Sequence, residues 1–451
     1  MGNPAGADPR AVRRTAAQAW IWGYPLLENY RTVYPQAIDD ADPRYVGGFG
    51  VFRHYPHPFT PDNTDVVTPD NDTPYSWAWL DLRAEPWVLE KPATDRYHVL
   101  PVHDLDTAYV GFVGSRTTGG GAGRYLIAGP GHRANPPEDF DGVLRADTNL
   151  VGILGRTFSA GPQDVPEVER VQAGYLLRPL SEHLGTPRPV AAEPVWPVWR
   201  GEEVLGTLEF FSLLDFLLGF FPALPADADL RGRLTELGVG SGDFEPAALP
   251  AEVREALLAG IADAREELAA AADGTADGPG DGAADGPGDG AADGATTGTA
   301  LFGTREQLGT RYLDRARGAR EGLYGLPVEE AWYGGRESPA GGREPAVLRF
   351  AAGQLPPARF FWSATAYRLP ERLLVANGID RYSIGDRTPG LVYGEDGSLT
   401  LYLQHQRPTE PEEFANWLPV PEGPYFVAVR AYGPETALLD GSWRLPTPTP
   451  R

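Results

Sequence analysis

The stretch PDNDTPYSWAWLD, residues 69–81, joins a polar loop to an aromatic strand and constrains the fold more than any other part of the chain. Pro69 and Pro74 stiffen its polar half, because a proline ring fixes φ and removes an N–H donor. Aromatic side chains then alternate with small ones from Tyr75 to Trp79, which predicts a strand with one aromatic face. The stretch therefore predicts a fixed loop that presents side chains beside a buried strand. A turn whose Asn and Asp side chains bond their own backbone is the alternative.

The composition describes a large acidic protein. The chain has 451 residues, of which 42% are hydrophobic and 22% charged, enough for two or three domains with sizeable cores. High counts of Gly (55) and Pro (45) favour many turns and short strands. The net charge of −23 argues against nucleic acid and anionic membranes as partners. The expected partners are therefore a small-molecule ligand and, as an option, further copies of the chain.

Cysteine is absent from the sequence, which excludes disulfides, thiolate metal sites and a cysteine nucleophile. The N-terminal residues show no apolar segment of signal-peptide length. The most apolar run, residues 205–224, is interrupted by Glu209 and Asp215, so a membrane span is not expected. These features predict a cytoplasmic protein.

Several longer motifs occur in both halves of the chain. In the first half they are NDTPYS at 71–76, WLDL at 79–82, GSRTTG at 114–119, GRT at 155–157 and DV at 164–165. In the second they are FWSAT at 361–365, RYSIGDRT at 381–388 and NWLP at 416–419. These motifs resemble those of a bacterial family known as domain of unknown function 1254 followed by domain of unknown function 1214, and the resemblance extends over nearly the whole chain. It implies a two-domain plan and carries no agreed reaction.

The order of the patterns predicts an α+β, β-rich fold with two β-sandwich or jelly-roll-like domains joined by a helical segment. The predicted units are an N-terminal helix (1–40), a first β domain resembling domain of unknown function 1254 (41–200), a helical segment (201–344) and a second β domain resembling domain of unknown function 1214 (345–451). Within the helical segment, residues 273–298 repeat an acidic Gly-rich octet and predict a disordered linker. An apolar helix around Leu214 is expected to be buried between the two β domains.

Carboxylates and arginines are the strongest candidates for chemistry. The seven histidines lack metal-ligand spacing on a helix, and no Gly-x-Ser-x-Gly motif is present, which disfavours zinc and serine-hydrolase chemistry. Asp72 and Asp104 lie near strand ends in the first domain, and Arg116 follows the next strand. We predict that these three are catalytic, because paired carboxylates with an arginine suit acid–base work. Asn71, Tyr75, Trp79 and Arg156 are the predicted substrate-binding residues.

These residues leave two classes of function open. The first is a non-redox hydrolase or lyase that uses carboxylate acid–base chemistry on an apolar or glycan-like substrate. The alternative is a non-catalytic ligand-binding or assembly protein with a structural Asp/Arg network. No cofactor and no metal ligand is predicted. The alternative is a Ca²⁺ or Mg²⁺ ion bound by the carboxylates. A pocket that contains Asp72 and Asp104 would favour the enzyme, and a filled interface there would favour the alternative.

Overall fold

The computed structural model describes residues 8–63, 68–133, 135–272 and 301–451. The architecture is α+β, as predicted, with a group of helices and two β units. The helices are α1 (Pro9–Val33), α2 (Val165–Gln172), α3 (Leu180–Leu184), α4 (Glu209–Leu218), α5 (Ala228–Glu236), α6 (Ala251–Ala272), α7 (Arg305–Leu308), α8 (Tyr312–Gly322), α9 (Pro411–Ala415) and α10 (Thr436–Leu439). Among the described residues, no helix is long and apolar enough to cross a membrane. The predicted linker, 273–298, lies outside the described residues.

The first β unit contains two sheets that share one core. Its strands are β1 (Arg53–His54), β2 (Tyr75–Asp81), β3 (Trp87–Lys91), β4 (His98–Asp104), β5 (Tyr109–Gly114), β6 (Gly123–Ala128), β7 (Gly142–Arg145), β8 (Leu150–Thr157) and β9 (Leu176–Pro179). Sheet I has the order β1-β2-β8-β4-β5, and sheet II has the order β7-β6-β3-β9. Because successive side chains of a strand point to opposite faces, Ala78 and Leu80 of β2 lie in one core with Trp87 and Leu89 of β3. The aromatic side chains of β2 therefore lie on the opposite face of sheet I.

The second β unit is also built from two sheets around one core. Its strands are β10 (Ala331–Glu337), β11 (Ala346–Phe350), β12 (Ala358–Arg368), β13 (Leu373–Leu374), β14 (Ser383–Gly385), β15 (Leu399–Gln404), β16 (Trp417–Pro419), β17 (Tyr425–Pro434) and β18 (Thr449–Pro450). Sheet III has the order β10-β17-β12-β13, with β14 also paired to β12, and sheet IV has the order β16-β15-β11-β18. The predicted helical segment, 201–344, thus contains β10, which pairs with β17 along its whole length.

The helices form a separate apolar core around α1. This helix continues through Pro25, and a π-helical turn follows at Tyr34–Ile38. Gly23 lets α4 approach closely, because a Cβ at that position would lie 3.1 Å from a methyl carbon of Leu214. Leu214 is fully buried in this helical core. The expectation that its helix lies between the β domains is wrong, since the apolar face of α4 packs on α1 instead.

Sheet III is covered on both faces, which brings the two β units together. Along β17, Val427 and Val429 point into the core shared with sheet IV. Arg430 and Tyr432 alternate with them and therefore point the other way, toward the first unit. There Tyr432 packs with Tyr97 in a second apolar cluster. The polar side chains of β17 are thus enclosed between sheets.

Candidate functional site

The loop before β2 places the Asp72 carboxylate against the second β unit. Asp72 is 7% exposed. Its carboxylate accepts hydrogen bonds from the hydroxyls of Ser363 (2.5 Å), Ser383 (3.1 Å) and Tyr432 (3.2 Å), all from the second unit. This arrangement is a filled interface in which protein donors occupy both carboxylate oxygens.

Asp70 lies beside Asp72 and binds the first unit's own arginine. Nη1 of Arg156 donates to Oδ2 of Asp70 over 3.0 Å, and both groups are buried. The backbone N–H of Asp72 donates to Oδ1 of Asp70 at 2.9 Å, so the loop is also braced from within. The hydroxyl of Tyr432 lies 3.2 Å from the Asp70 oxygens as well as from Asp72. Tyr432 therefore bridges the two carboxylates.

Burial and the neighbouring Asp70 carboxylate raise the pKa of Asp72 to about 6, while the charge of Arg430 acts in the opposite direction. Arg430 is 5% exposed and donates to the hydroxyl oxygen of Tyr367 at 2.8 Å and to the carbonyl of Thr68 at 3.2 Å. Its charge thus acts on the carboxylates through space. We refer to Asp70, Asp72, Arg156, Arg430 and Tyr432 as the interface network.

Arg156 has one unused donor inside this network. Its Nη2 donates to the carbonyl of Tyr324 at 2.9 Å, and its guanidinium carbon lies 5.2 Å from the ring centre of Tyr75, its cross-strand neighbour. Nε of Arg156 is buried and has no hydrogen-bond partner among the described residues. The predicted substrate-binding residues Tyr75 and Arg156 therefore do lie together beside Asp72.

Arg116 binds a different carboxylate from the one expected. Its Nε donates to Oε2 of Glu330 over 2.5 Å, and Glu330 is fully buried while 30% of the Arg116 side chain is exposed. Burial raises the pKa of Glu330, and Arg116 opposes that rise. In the described contacts, Arg116 thus pairs with Glu330, just before β10, and not with the other two predicted catalytic residues, Asp72 and Asp104.

Asp104 belongs to a second polar group around Arg305, which lies on α7. Arg305 forms ion pairs with Asp104 (3.2 Å), Asp106 (2.6 Å) and Asp147 (2.7 Å). Arg315 of α8 donates to Asp106 from the other side at 2.5 Å. Within the described ranges, Asp104 and Asp72 therefore share no hydrogen-bond or ion-pair partner, contrary to the predicted single cluster. We refer to this second group as the Arg305 cluster.

The two neighbouring carboxyls of the Arg305 cluster have opposite pKa shifts. Burial raises the pKa of Asp104 to about 7, despite the opposing charge of Arg305. The two arginines hold the pKa of Asp106 at about 2, against the effect of burial. At neutral pH, Asp106 is thus the ionised partner of two arginines, and Asp104 titrates near neutrality. Divergent pKa values of adjacent carboxyls are a feature of acid–base sites.

The other two predicted binding residues lie at the edges of these groups. Asn71 donates from Nδ2 to the carbonyl of Phe59 at 2.6 Å, which secures the loop. Trp79 lies on the α1 side of sheet I, where its Nε1 donates to Gln36 at 2.8 Å. Asn71 thus stays beside Asp72, and Trp79 does not reach the interface network.

Neither polar group resembles a metal centre. Across the described ranges, no three His, Asp or Glu side chains are grouped so that they could hold an ion. Two surface cavities lie away from both groups, one of about 460 Å³ beside Arg407 and Phe414 and one of about 750 Å³ between α1, α5 and the start of α8. None of the predicted site residues lines either of these two cavities.

Several members of these groups were missed from the sequence. Asp70 stands two residues before Asp72, and Tyr432 follows the alternating pattern of its strand, so both carried a local signal. Glu330, Arg305 and Arg315 carried none, because each meets its partner over a long sequence separation. The alternation gives the face on which a side chain lies, but it does not give the sheet that this face contacts.

Together, the fold and the interface network define an α+β protein whose two β units are joined by buried carboxylates, tyrosines and arginines. Family models match residues 49–179 as a protein of unknown function (DUF1254) and residues 331–436 as a protein of unknown function (DUF1214). The chain therefore belongs to the family in which these two domains follow one another, as its motifs indicated.

Two solved structures are similar to the chain to different degrees. The chain is similar over 98% of its length to the whole of the VPA0106 protein from Vibrio parahaemolyticus, with 26% sequence identity and a TM-score of 0.76. An uncharacterised protein from Burkholderia cenocepacia matches with 12% identity and a TM-score of 0.45, over 94% of this chain and 86% of that one. No curated protein matches the chain.

Proposed function

We propose that the protein is a non-catalytic ligand-binding or assembly protein in which the interface network is structural. The observation that carries this proposal is the set of protein donors around Asp72. Its two carboxylate oxygens already accept hydrogen bonds from Ser363, Ser383 and Tyr432, so a substrate would have to compete with protein donors. Buried hydrogen bonds across an interface favour one relative placement of the parts that they join.

Charge and location support the same role. The network crosses the interface at several points: hydroxyls of the second unit donate to Asp72 and Asp70 of the first, and Arg430 of the second donates to the carbonyl of Thr68. Removing one partner of such a set leaves an unpaired buried group, which is costly. Joint burial of these residues therefore favours one rigid two-unit body over two independent domains.

The experiment is a comparison of binding with turnover. Purified protein would be incubated with a metabolite extract and with panels of esters, amides and glycosides, and both bound and converted compounds would be measured by mass spectrometry. We expect bound compounds to be recovered unchanged. Conversion of any of them that Asp72→Asn abolishes, while the melting temperature stays the same, would overturn this proposal.

A hydrolase or lyase acting on an apolar or glycan-like substrate is the second candidate, and the Arg305 cluster is the observation that favours it. Asp104 has its pKa raised to about 7 beside the ionised Asp106, and the Arg305 and Asp147 side chains are 24% and 46% exposed. A proton donor beside solvent-accessible polar groups suits acid catalysis. Loss of turnover in Asp104→Asn with retained turnover in Asp72→Asn would support this candidate.

We also propose that each β unit is a β-sandwich or jelly-roll-like domain. What supports this is that apolar residues of sheets I and II share one core, as do those of sheets III and IV.

A further inference from the structure

We propose that the cavity between α1, α5, α6 and the start of α8 binds a small organic cation, an amine or quaternary ammonium compound with an apolar body. We refer to this cavity as the helical groove. The inference deepens the ligand-binding part of the proposed function and rests on it, because it gives that function a site and a ligand class. No residue of the interface network lines the helical groove.

The helical groove has the size of a small-molecule site. Its volume is about 750 Å³, and ligand pockets of proteins usually measure about 300–1,000 Å³. Ile21 of α1, Leu230 of α5, Glu267 of α6 and Tyr312 of α8 all contribute to its lining. Because these residues are far apart in the sequence, the packing of the helices creates the cavity.

Apolar side chains supply part of the lining. Ile21 and Leu230 are each 7% exposed and belong to the helical core, which holds them in place. Ala17 and Leu313 pack against the same core and are only partly buried, so they leave apolar surface open to the groove. The apolar body of a ligand would remove this surface from water, which favours binding.

Two arginines line the helical groove, and both already have carboxylate partners there. Arg233 forms an ion pair with Asp229 at 3.1 Å and donates to Oε1 of Gln18 at 2.8 Å. Arg311 forms an ion pair with Asp314 at 3.2 Å. An anionic ligand would therefore have to compete with carboxylates of the protein for either guanidinium.

Glu267 is the remaining charged group of the lining. It is exposed, and no residue in the described part of the chain forms an ion pair with it. The lining thus carries two arginines and three carboxylates, a net charge of 2 − 3 = −1, on a chain whose net charge is −23. This balance attracts cations and repels anions. A carboxylate without a partner beside apolar surface matches an organic cation.

The aromatic wall of the helical groove is fixed in advance. The hydroxyl of Tyr312 donates to Oδ1 of Asp227 at 2.6 Å, and the guanidinium carbon of Arg315 lies 5.3 Å from the centre of the Tyr312 ring. Arg315 is itself paired with Asp106, so its charge is offset. A wall that is already in position lowers the cost of ordering the site when a ligand binds.

The test uses the full-length protein with benzylamine and benzyltrimethylammonium as cationic probes. Benzyl alcohol and benzoate are the neutral and anionic controls of similar size. Binding would be measured by isothermal titration calorimetry at low ionic strength. We expect saturable binding of both cations, with benzyl alcohol weaker by about threefold or more and benzoate weaker still. The affinity for the cations should fall as salt is added, because exposed charges are screened.

Glu267→Gln is the decisive variant, because it removes the unpaired charge from an exposed position and should leave the melting temperature unchanged. We expect the affinity for benzyltrimethylammonium to fall roughly threefold to fivefold, the effect of one exposed charge pair. Glu266→Gln is the matched control, since it removes the same charge from an adjacent exposed residue that does not line the groove. Its affinity should equal that of the wild type.

Three results would overturn the inference: no saturable binding of either cation, equal binding of benzyl alcohol, or the same affinity in Glu267→Gln as in Glu266→Gln. The last would mean that the net charge of the chain, and not the helical groove, attracts the cation. Failure of the proposed function looks different, because it requires conversion of a compound that Asp72→Asn abolishes. Binding that depends on Glu267 is measured without reference to Asp72.

Discussion

The carboxylate of Asp72 accepts a hydrogen bond of 2.5 Å from the hydroxyl of Ser363, a residue 291 positions further along the chain. The bond joins the loop before β2 to the middle of β12, and thereby the first β unit to the second. Ser383 and Tyr432 also donate to the same carboxylate. A single side chain of the first unit is thus held by three strands of the second.

Removing this carboxylate should weaken the whole protein. We expect Asp72→Ala to lower the free energy of unfolding by about 2–4 kcal/mol, because Ser363 and Ser383 lose their acceptor and Tyr432 keeps only Asp70. Asp72→Asn keeps the shape and one acceptor oxygen, and should cost no more than about 1–2 kcal/mol. Urea unfolding of both variants is the measurement. Equal stability of Asp72→Ala and wild type would show that the interface does not depend on this residue.

The pH dependence of stability gives an independent check on Asp72. Its folded-state pKa is raised to about 6, above the value of about 3.9 expected in an unfolded chain. The folded state therefore binds more protons between these values, so this group favours folding below about pH 4 and loses that contribution as the pH rises through 6. In Asp72→Asn the decline should be shallower than in wild type. Identical pH profiles of unfolding would contradict the raised pKa.

The hydroxyl of Tyr432 should contribute more to the free energy of unfolding than the packing of its ring does. Tyr432→Phe retains the stacking on Phe361 but removes the group that bridges Asp70 and Asp72. We expect a loss of about 1–3 kcal/mol, since two buried carboxylates lose a donor. Thermal and urea unfolding would measure it, with Tyr393→Phe as an exposed control. A neutral Tyr432→Phe would mean that water replaces the hydroxyl.

The local features of the fold were predictable from the sequence. The pattern after Pro74 predicted a strand with one aromatic face, and β2 begins at Tyr75 as expected. The alternation along β17 likewise placed Arg430 and Tyr432 on one face. The position of the apolar helix α4 was not predictable, because its hydrophobic residues indicate burial without naming the partner. Only Gly23 on α1, which permits the close approach of Leu214, hinted at the contact.

The full set of residues around the site was harder to predict than the residue at its centre, Asp72. The sequence predicted one site from seven residues, Asp72, Asp104, Arg116, Asn71, Tyr75, Trp79 and Arg156. Of these, Asn71, Asp72, Tyr75 and Arg156 lie together, and their roles stay predictions. Asp104 was added to the same cluster because sequential strands are often adjacent. In sheet I, β8 separates β2 from β4, and Arg305 draws Asp104 into another group. Ion pairs between distant segments leave no local signal, which is why the second group was missed.

Asp106 should be the most sensitive carboxylate of the Arg305 cluster. It is fully buried between Arg305 and Arg315, and Arg315 is 3% exposed with no other carboxylate among its described ion pairs. Asp106→Asn should therefore cost about 3–5 kcal/mol at neutral pH, because a buried guanidinium loses its counter-charge. Asp229→Asn, in an exposed pair with Arg233, is the control and should cost no more than about 0.5 kcal/mol. Chemical unfolding at pH 7 would measure both.

The sign of the acid dependence follows from the lowered pKa of Asp106. With a folded pKa of about 2, this group stabilises the protein above about pH 4, and the contribution is lost as the pH falls toward 2. The difference in stability between wild type and Asp106→Asn should therefore shrink in acid. A difference that stays constant from pH 7 to pH 3 would show that the asparagine acts through packing alone.

A buried and an exposed leucine of the helices test whether α4 packs on α1. Leu214 of α4 is fully buried against α1, whereas Leu258 of α6 is 42% exposed. Leu214→Asp should destabilise the protein by more than about 4 kcal/mol or prevent its folding, because the carboxylate would have no partner in an apolar core. Leu258→Asp should change stability by no more than about 0.5 kcal/mol. The measurements are the soluble yield and the melting temperature of the two variants. Equal values for Leu214→Asp and Leu258→Asp would show that α4 does not pack on α1 as the structure places it.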